Sequence, residues 1–422
     1  MRALLSPHME VRTQRWILSC VSALLACALG VWVFGRIQTR KPPSTITFRE
    51  RNEAPATVEF PVISQADFFL LDESTPLAAR AEDRRFYMSR EAVEHLWGNS
   101  DRGVVYDPWT YSWDAGGRDE RYPWPEHPQG RWHLTTNRAG LRELGDSAAN
   151  SPPSPPPSSP PSPESLRVLA TGDSHAFGVC DTDETFAAEL ERMLSGVLAP
   201  RGVQVLNASQ PGFDAFNYLG VLQRFLDFQP QTFVALCFGG NDLLSALDLY
   251  YRFTQASVPV EPEHDHRRRA EVAGRAPSAF GQCYDGATNL LLNPEEGELA
   301  ARINARLYAE MKSICDRRGI RFLVVYLPSP CDLRWRDPPA EIEIGRRLSG
   351  IPLGAGSGLR ATEARFLELM SALSIEVIDM RSSFAALDDP PYWRRDLHLN
   401  LVGHRMVAEA LAPRIAPQGS AR

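Results

Sequence analysis

The stretch SLRVLATGDSHAFG, Ser165 to Gly178, joins a short run of strand-forming apolar residues to a Gly-Asp-Ser turn and then to a segment that can enter a helix. The same tripeptide stands earlier, at Gly145-Asp146-Ser147 in LRELGDSAANSPP. Three common residues carry little information, so their surroundings have to separate the two copies. The first copy runs directly into SPPSPPPSSPPSPES, Ser151 to Ser165, a Pro/Ser tract that is extended, semi-rigid and unable to pack a core. It reads as linker. The second copy follows an apolar run at the start of a regular pattern.

Downstream of the tract, β-rich runs alternate with helical ones. LRVLA, VQVLNAS, TFVALCFGG, IRFLVVYLP and IEVIDM read as strands. DETFAAELERML places Phe186, Leu190 and Leu194 four residues apart, and ELAARINARLYAEMKSICDRRG carries a similar stripe that stops at Gly319. Strands alternating with helices predict an α/β domain whose parallel sheet is covered on both faces. Sites in such sheets form beyond the carboxyl ends of the strands, where Ser174 stands.

Four pieces follow one another in order: GDSHAFG at 172 to 178, NASQPGFDAFN with Gly212 after the second strand, GGND from Gly239 to Asp242 ending the third, and DLHLNLVGHRMVAEAL from Asp396 leading into a final helix. Together they resemble the SGNH hydrolases, also called the GDSL esterase/lipase family, whose four blocks supply Ser, Gly, Asn and His in that order. The resemblance covers about residues 130 to 415. It includes TNRAGLRE, Thr136 to Glu143, which is similar to an Asn-x-x-Gly-x-Arg segment ahead of the nucleophile block in many bacterial members. It implies a three-layer α/β/α domain with a five-stranded parallel sheet in the order 2-1-3-4-5. It also implies a serine esterase without metal or cofactor. Ser174 would attack an ester carbonyl and His398 would move the proton. The backbone N–H groups of Ser174 and Gly212 and the side-chain amide of Asn241 would hold the oxyanion. Asp173 would fix the loop. Gly172-Asp173-Ser174-His175-Ala176 also nearly matches a G-x-S-x-G elbow, but its second glycine is missing, and α/β-hydrolases place their acid well before the histidine.

The last block departs from the family's Asp-x-x-His. Arg395 stands three residues before His398, and Asp396 two before it. In extended chain, residues two apart point to the same side, so Asp396 is expected to reach the imidazole; Asp388 and Asp389 are the other candidates. His175 reads as lining beside the serine, His404 as a structural residue on the polar side of the closing helix, and His264 and His266 as part of a solvated charged loop.

A net charge of −7 gives no reason to expect nucleic acid as partner. None of the seven cysteines forms a C-x-x-C pair, so no zinc site is suggested, while one disulfide among Cys237, Cys283, Cys315 and Cys331 stays open. Residues 16–35, WILSCVSALLACALGVWVFG, hold no charge and are long enough to span the roughly 30 Å of a bilayer core. The expected organisation is an uncleaved anchor at 1–35, a Trp-rich irregular region at 36–144, a linker at 145–165 and the hydrolase domain at 166–416. Five of the nine tryptophans (Trp97, Trp109, Trp113, Trp124 and Trp132) fall in the second region, as packing of a small domain or as a sugar-stacking platform. Residues 243 to 296 read as a polar insertion. Arg36, Arg40, Lys41, Arg49 and Arg51 follow the apolar run and outnumber the three arginines before it, so the count of positive charges does not support export. An exported, envelope-facing body is nonetheless expected from the function, with an ester of an envelope glycan or lipid as substrate. An O-acyltransferase on the same site and a catalytically silent envelope module are the alternatives.

Overall fold

The computed structural model describes residues 118–137, 139–143, 165–254, 290, 294–340 and 359–416. It adds four short strands further upstream: β1 (Thr47–Glu50), β2 (Pro55–Thr57), β3 (Phe86–Met88) and β4 (Val104–Tyr106). The expected anchor, the first Gly-Asp-Ser copy, Cys283, His264 and His266 lie outside these residues. Among the described residues no helix is long and apolar enough to cross a membrane. The region expected to be irregular contains strands, β1 pairing with β2 antiparallel. Runs of three or four residues are too short to show a period in the sequence.

The main domain is built on a five-stranded parallel sheet of β7 (Leu166–Thr171), β8 (Val203–Asn207), β9 (Thr232–Phe238), β10 (Arg321–Leu327) and β11 (Glu376–Asp379). Its spatial order is β8-β7-β9-β10-β11, which is the expected 2-1-3-4-5. The strand sequences look uniformly apolar because both faces are covered. Alternation survives within them. In β9, Phe233, Ala235 and Cys237 enter one core, and Val234, Leu236 and Phe238 the other. β10 divides the same way, with Phe322, Val324 and Tyr326 opposite Leu323, Val325 and Leu327.

Helices α3 (Ala215–Arg224), α4 (Asp242–Thr254), α5 (Pro294–Arg318) and α6 (Leu359–Ala372) supply the first core. Helices α2 (Phe186–Leu198), α7 (Arg381–Ala385) and α8 (Leu401–Ile415) supply the second, giving three layers. Phe186, Leu190 and Leu194, the predicted stripe of α2, are all buried. The polar-insertion reading of 243 to 296 is corrected at its start. Leu243, Ala246, Leu247 and Tyr250 of α4 are buried in the first core, a period hidden because Asp242 and the polar residues between them lower its mean hydropathy.

Upstream of the linker, β5 (Asp119–Pro123) and β6 (Arg131–Thr135) form an antiparallel hairpin. Trp132 and Leu134 pack with Phe177, just after the second Gly-Asp-Ser, and Tyr122 stacks on Trp132 with ring centroids 4.7 Å apart. Packing is therefore the role of Trp132, while Trp97, Trp109 and Trp113 lie outside the described residues.

Candidate active site

Ser174 opens α1 (Ser174–Phe177), a single helical turn directly after β7. Asp173 caps it, its carboxylate accepting the N–H of His175 at 2.8 Å. A side chain on Gly172 could not be accommodated, since its Cβ would lie 2.3 Å from that of Ala176. This close packing holds the turn against the strand end. Burial pushes the Asp173 carboxyl up to about 6, against the pull of the His175 N–H and of His398.

His175 is fully buried, stacked on Phe238 at 3.5 Å between ring centroids, and its ring lies 4.8 Å from that of His398. The last block is thereby brought against the residue that follows Ser174. His398 is 8% exposed and is gripped twice by one carboxylate. Its backbone N–H donates to Asp396 Oδ1 at 3.1 Å, and its ring Nδ1 meets Asp396 Oδ2 at 2.5 Å. The extended chain expected between them is not what makes this possible. Leu397 has φ +65°, a left-handed residue, so the chain turns and the carboxylate folds back over its second neighbour. Trp393 N–H to His398 O at 2.8 Å and Leu397 N–H to Trp393 O at 3.0 Å close the loop. Asp388 pairs with Arg336, and Asp389 with Arg394 at 3.1 Å. Neither is bonded to the imidazole.

The second block turns at Gly212, which is exposed with φ +81°, a conformation that strains any side chain. Gln210 N–H donates to Gly172 O at 3.2 Å and ties this turn to the Gly172-Asp173-Ser174 turn. Asn241 follows β9, and its main-chain oxygen accepts the N–H groups of Leu244 and Ser245 as α4 begins. Its side-chain oxygen is buried without a hydrogen bond among the described residues, a state that buried amides rarely keep without a reason. Asp242, beside it, accepts the Tyr218 hydroxyl at 2.7 Å and the Phe238 N–H at 2.8 Å. That carboxylate couples α3, which follows Gly212, to the Asn241 corner. Burial holds its pKa well above the usual carboxylate range, and the charge of Asp173 adds to the effect.

The hairpin contacts both loops. Glu126 accepts the N–H of Arg395 with both oxygens, at 3.0 and 3.2 Å, one residue before Asp396. On the other side, Asp181 accepts the N–H of His133 at 2.5 Å, and Thr182 exchanges hydrogen bonds with the main chain of Thr135. His127, Asp181 and Glu184 bring possible metal ligands within 4.8 Å of one another. Each already has a partner: His127 Nε2 meets Glu184 at 2.8 Å, its Nδ1 accepts the N–H of Gln129, and Glu184 accepts the N–H of Asp181.

His404 is structural as expected but not on a polar face. It is wholly buried, its Nδ1 accepting the N–H of Phe186 at 3.2 Å, because helix α8 turns that side onto α2. The described Cys180, Cys237, Cys315 and Cys331 are free thiols. Asp242, Tyr218 and Glu126 have no role expected from the sequence. Asp242 closes the GGND block and was open to notice; Tyr218 and Glu126 are recognisable only by their contacts.

No family model and no curated protein sequence matches the chain. Solved structures match part of the chain. LAE5, an alpha/beta hydrolase enzyme from the metagenome of Lake Arreo, is 14% identical and matches 60% of this chain and 97% of its own, with a TM-score of 0.35. TesA is 14% identical over 60% of this chain and 99% of its own, at 0.34. The lipase Lip_vut3 from a goat rumen metagenome is 18% identical over 61% and 100%, at 0.36. At such identities and scores they add no weight to the reading of the site, which stands on its own residues.

Proposed function

We propose that this chain is a serine hydrolase of the SGNH type that cleaves acyl or acetyl esters through Ser174, His398 and Asp396. The observation that carries the reading is the double grip of Asp396 on His398, in a loop packed against the residue that follows Ser174. With Nδ1–H donated to the carboxylate, Nε2 is left as the basic nitrogen. It would take the Ser174 proton as Oγ bonds to the ester carbonyl carbon, whose π electrons move onto oxygen. The N–H groups of Ser174 and Gly212 and the Asn241 amide would stabilise that oxyanion, each such donor being worth roughly 100- to 1000-fold in rate. Collapse of the tetrahedral adduct expels the alcohol, which takes the proton from the imidazolium. Water then repeats the sequence and frees the acid and Ser174.

The substrate class in this reading is an ester of an envelope glycan or lipid, with the uncharged run at 16–35 as anchor and the body outside the cytoplasm. It rests on that run and on the family's habits. The test is hydrolysis of p-nitrophenyl acetate by the full chain without added metal. Turnover that persists in a chelator is expected; turnover lost to the chelator and restored by zinc would contradict a Ser-His-Asp mechanism.

A further inference from the structure

Arg142 is a buried arginine, 1% exposed, whose hydrogen-bond partners among the described residues include no carboxylate. Burying a guanidinium without an ion pair is expensive, and burial pushes its pKa down to about 10. Such a group persists where its geometry is needed. Its Nη1 donates to Phe177 O at 2.5 Å and Gly178 O at 2.7 Å, its Nη2 to Cys180 O at 2.7 Å, and its Nε to Thr182 Oγ1 at 3.3 Å. The guanidinium lies 4.9 Å from the Phe177 ring and 5.6 Å from Trp132.

The backbone of Arg142 is fixed as well. It forms a two-bond antiparallel bridge with Asn207 at the end of β8, each N–H donating to the other's carbonyl at 3.1 Å. Asn207 then donates its own amide Nδ2–H to Ala176 O at 2.9 Å, while its Oδ1 accepts the N–H of Ser209. The paired residues thus take the carbonyls of Ala176, Phe177, Gly178 and Cys180 in succession. A one-turn helix has almost no internal hydrogen bonds, and its last carbonyls would otherwise be orphaned. Here they are tied to the sheet edge by two side chains.

We propose that Arg142 and Asn207 are positioning residues that fix the nucleophile turn, setting the direction in which Ser174 presents its Oγ and N–H. This rests on the esterase reading of the site. Arg142 is the last residue of the Asn-x-x-Gly-x-Arg segment, and the contacts give that segment its purpose. Arginine is required because its planar fork reaches several carbonyls at once, which the point charge of lysine cannot. A displacement near 1 Å at a reacting centre costs about 100-fold in rate, whereas substrate binding elsewhere is untouched.

The test compares the full chain with Arg142→Lys and Asn207→Asp, measuring ester kinetics alongside amide hydrogen exchange over residues 171–185. Asn207→Asp keeps the bridge and the acceptor for Ser209, and its ionised form replaces the donor to Ala176 with an oxygen that faces the carbonyl. The expected result is kcat lower by roughly 10- to 100-fold, KM within about twofold, and faster exchange confined to 171–185. Unchanged exchange there, or faster exchange with normal kcat, would overturn the proposal while leaving the esterase reading standing. A loss of activity that tracks only the unfolded fraction in both variants would also overturn it. If the wild-type chain turns over no ester and takes no fluorophosphonate, the reading of the site fails, and this proposal fails with it.

Discussion

Asp396 and His398 are separated by one residue where the resembling family has two, and a left-handed Leu397 absorbs the difference. A non-glycine residue in that region costs of order 1–3 kcal/mol and persists where its surroundings over-determine it; Leu397 is buried and hydrogen-bonded within the loop. If the carboxylate orients the imidazole and stabilises the imidazolium, Asp396→Asn should lower kcat by about 100-fold or more with little change in KM. Asp388→Asn and Asp389→Asn, at positions paired to arginines, should be nearly silent. Steady-state kinetics of the three variants decides the matter: a near-normal Asp396→Asn beside a collapsed neighbour would move the acid upstream. The identity of the acid candidate was open to reading, since the residues stand in the last block. The left-handed turn was not, because nothing in Asp-Leu-His announces a positive φ at leucine.

Element by element, the strands and the stripe of α2 could be read because each is fixed by local periodicity. The hairpin's placement against the site could not, because Glu126, Trp132 and His133 find partners there in segments about 45 to 270 residues away. Helix α8 carries a buried consequence of the same kind. His404 is pushed down to about 3 by burial, with the charges of Arg142 and His398 adding to the effect. As pH falls below the ordinary 6.5, the unfolded chain binds a proton that the folded chain refuses, so stability is lost progressively between pH 6.5 and about 3. At pH 5 the deficit is about 2 kcal/mol. Asp173, raised to about 6, acts oppositely over part of this window, so the informative quantity is a difference between proteins. Denaturant unfolding should show the wild type losing about 2 kcal/mol relative to His404→Gln between pH 7.5 and pH 5. A gap that does not change with pH would mean that His404 takes up its proton as readily in the fold as in the unfolded chain.

At the scale of the whole molecule, an apolar N-terminal run, a Pro/Ser tract and an α/β domain share one chain. The run should keep the protein in the membrane fraction through a carbonate wash, and protease added to spheroplasts should reach the body. Protection of the body there would place it inside, as the arginines after residue 35 suggest. The central claim is that one of two identical tripeptides is a nucleophile because of where the fold puts it. Fluorophosphonate labelling of the full chain tests this most directly, with Ser174→Ala and Ser147→Ala as the paired variants. The account predicts a stoichiometric adduct on Ser174, lost in Ser174→Ala and undiminished in Ser147→Ala. A folded wild-type chain that takes no label, or one whose label survives Ser174→Ala, would contradict it.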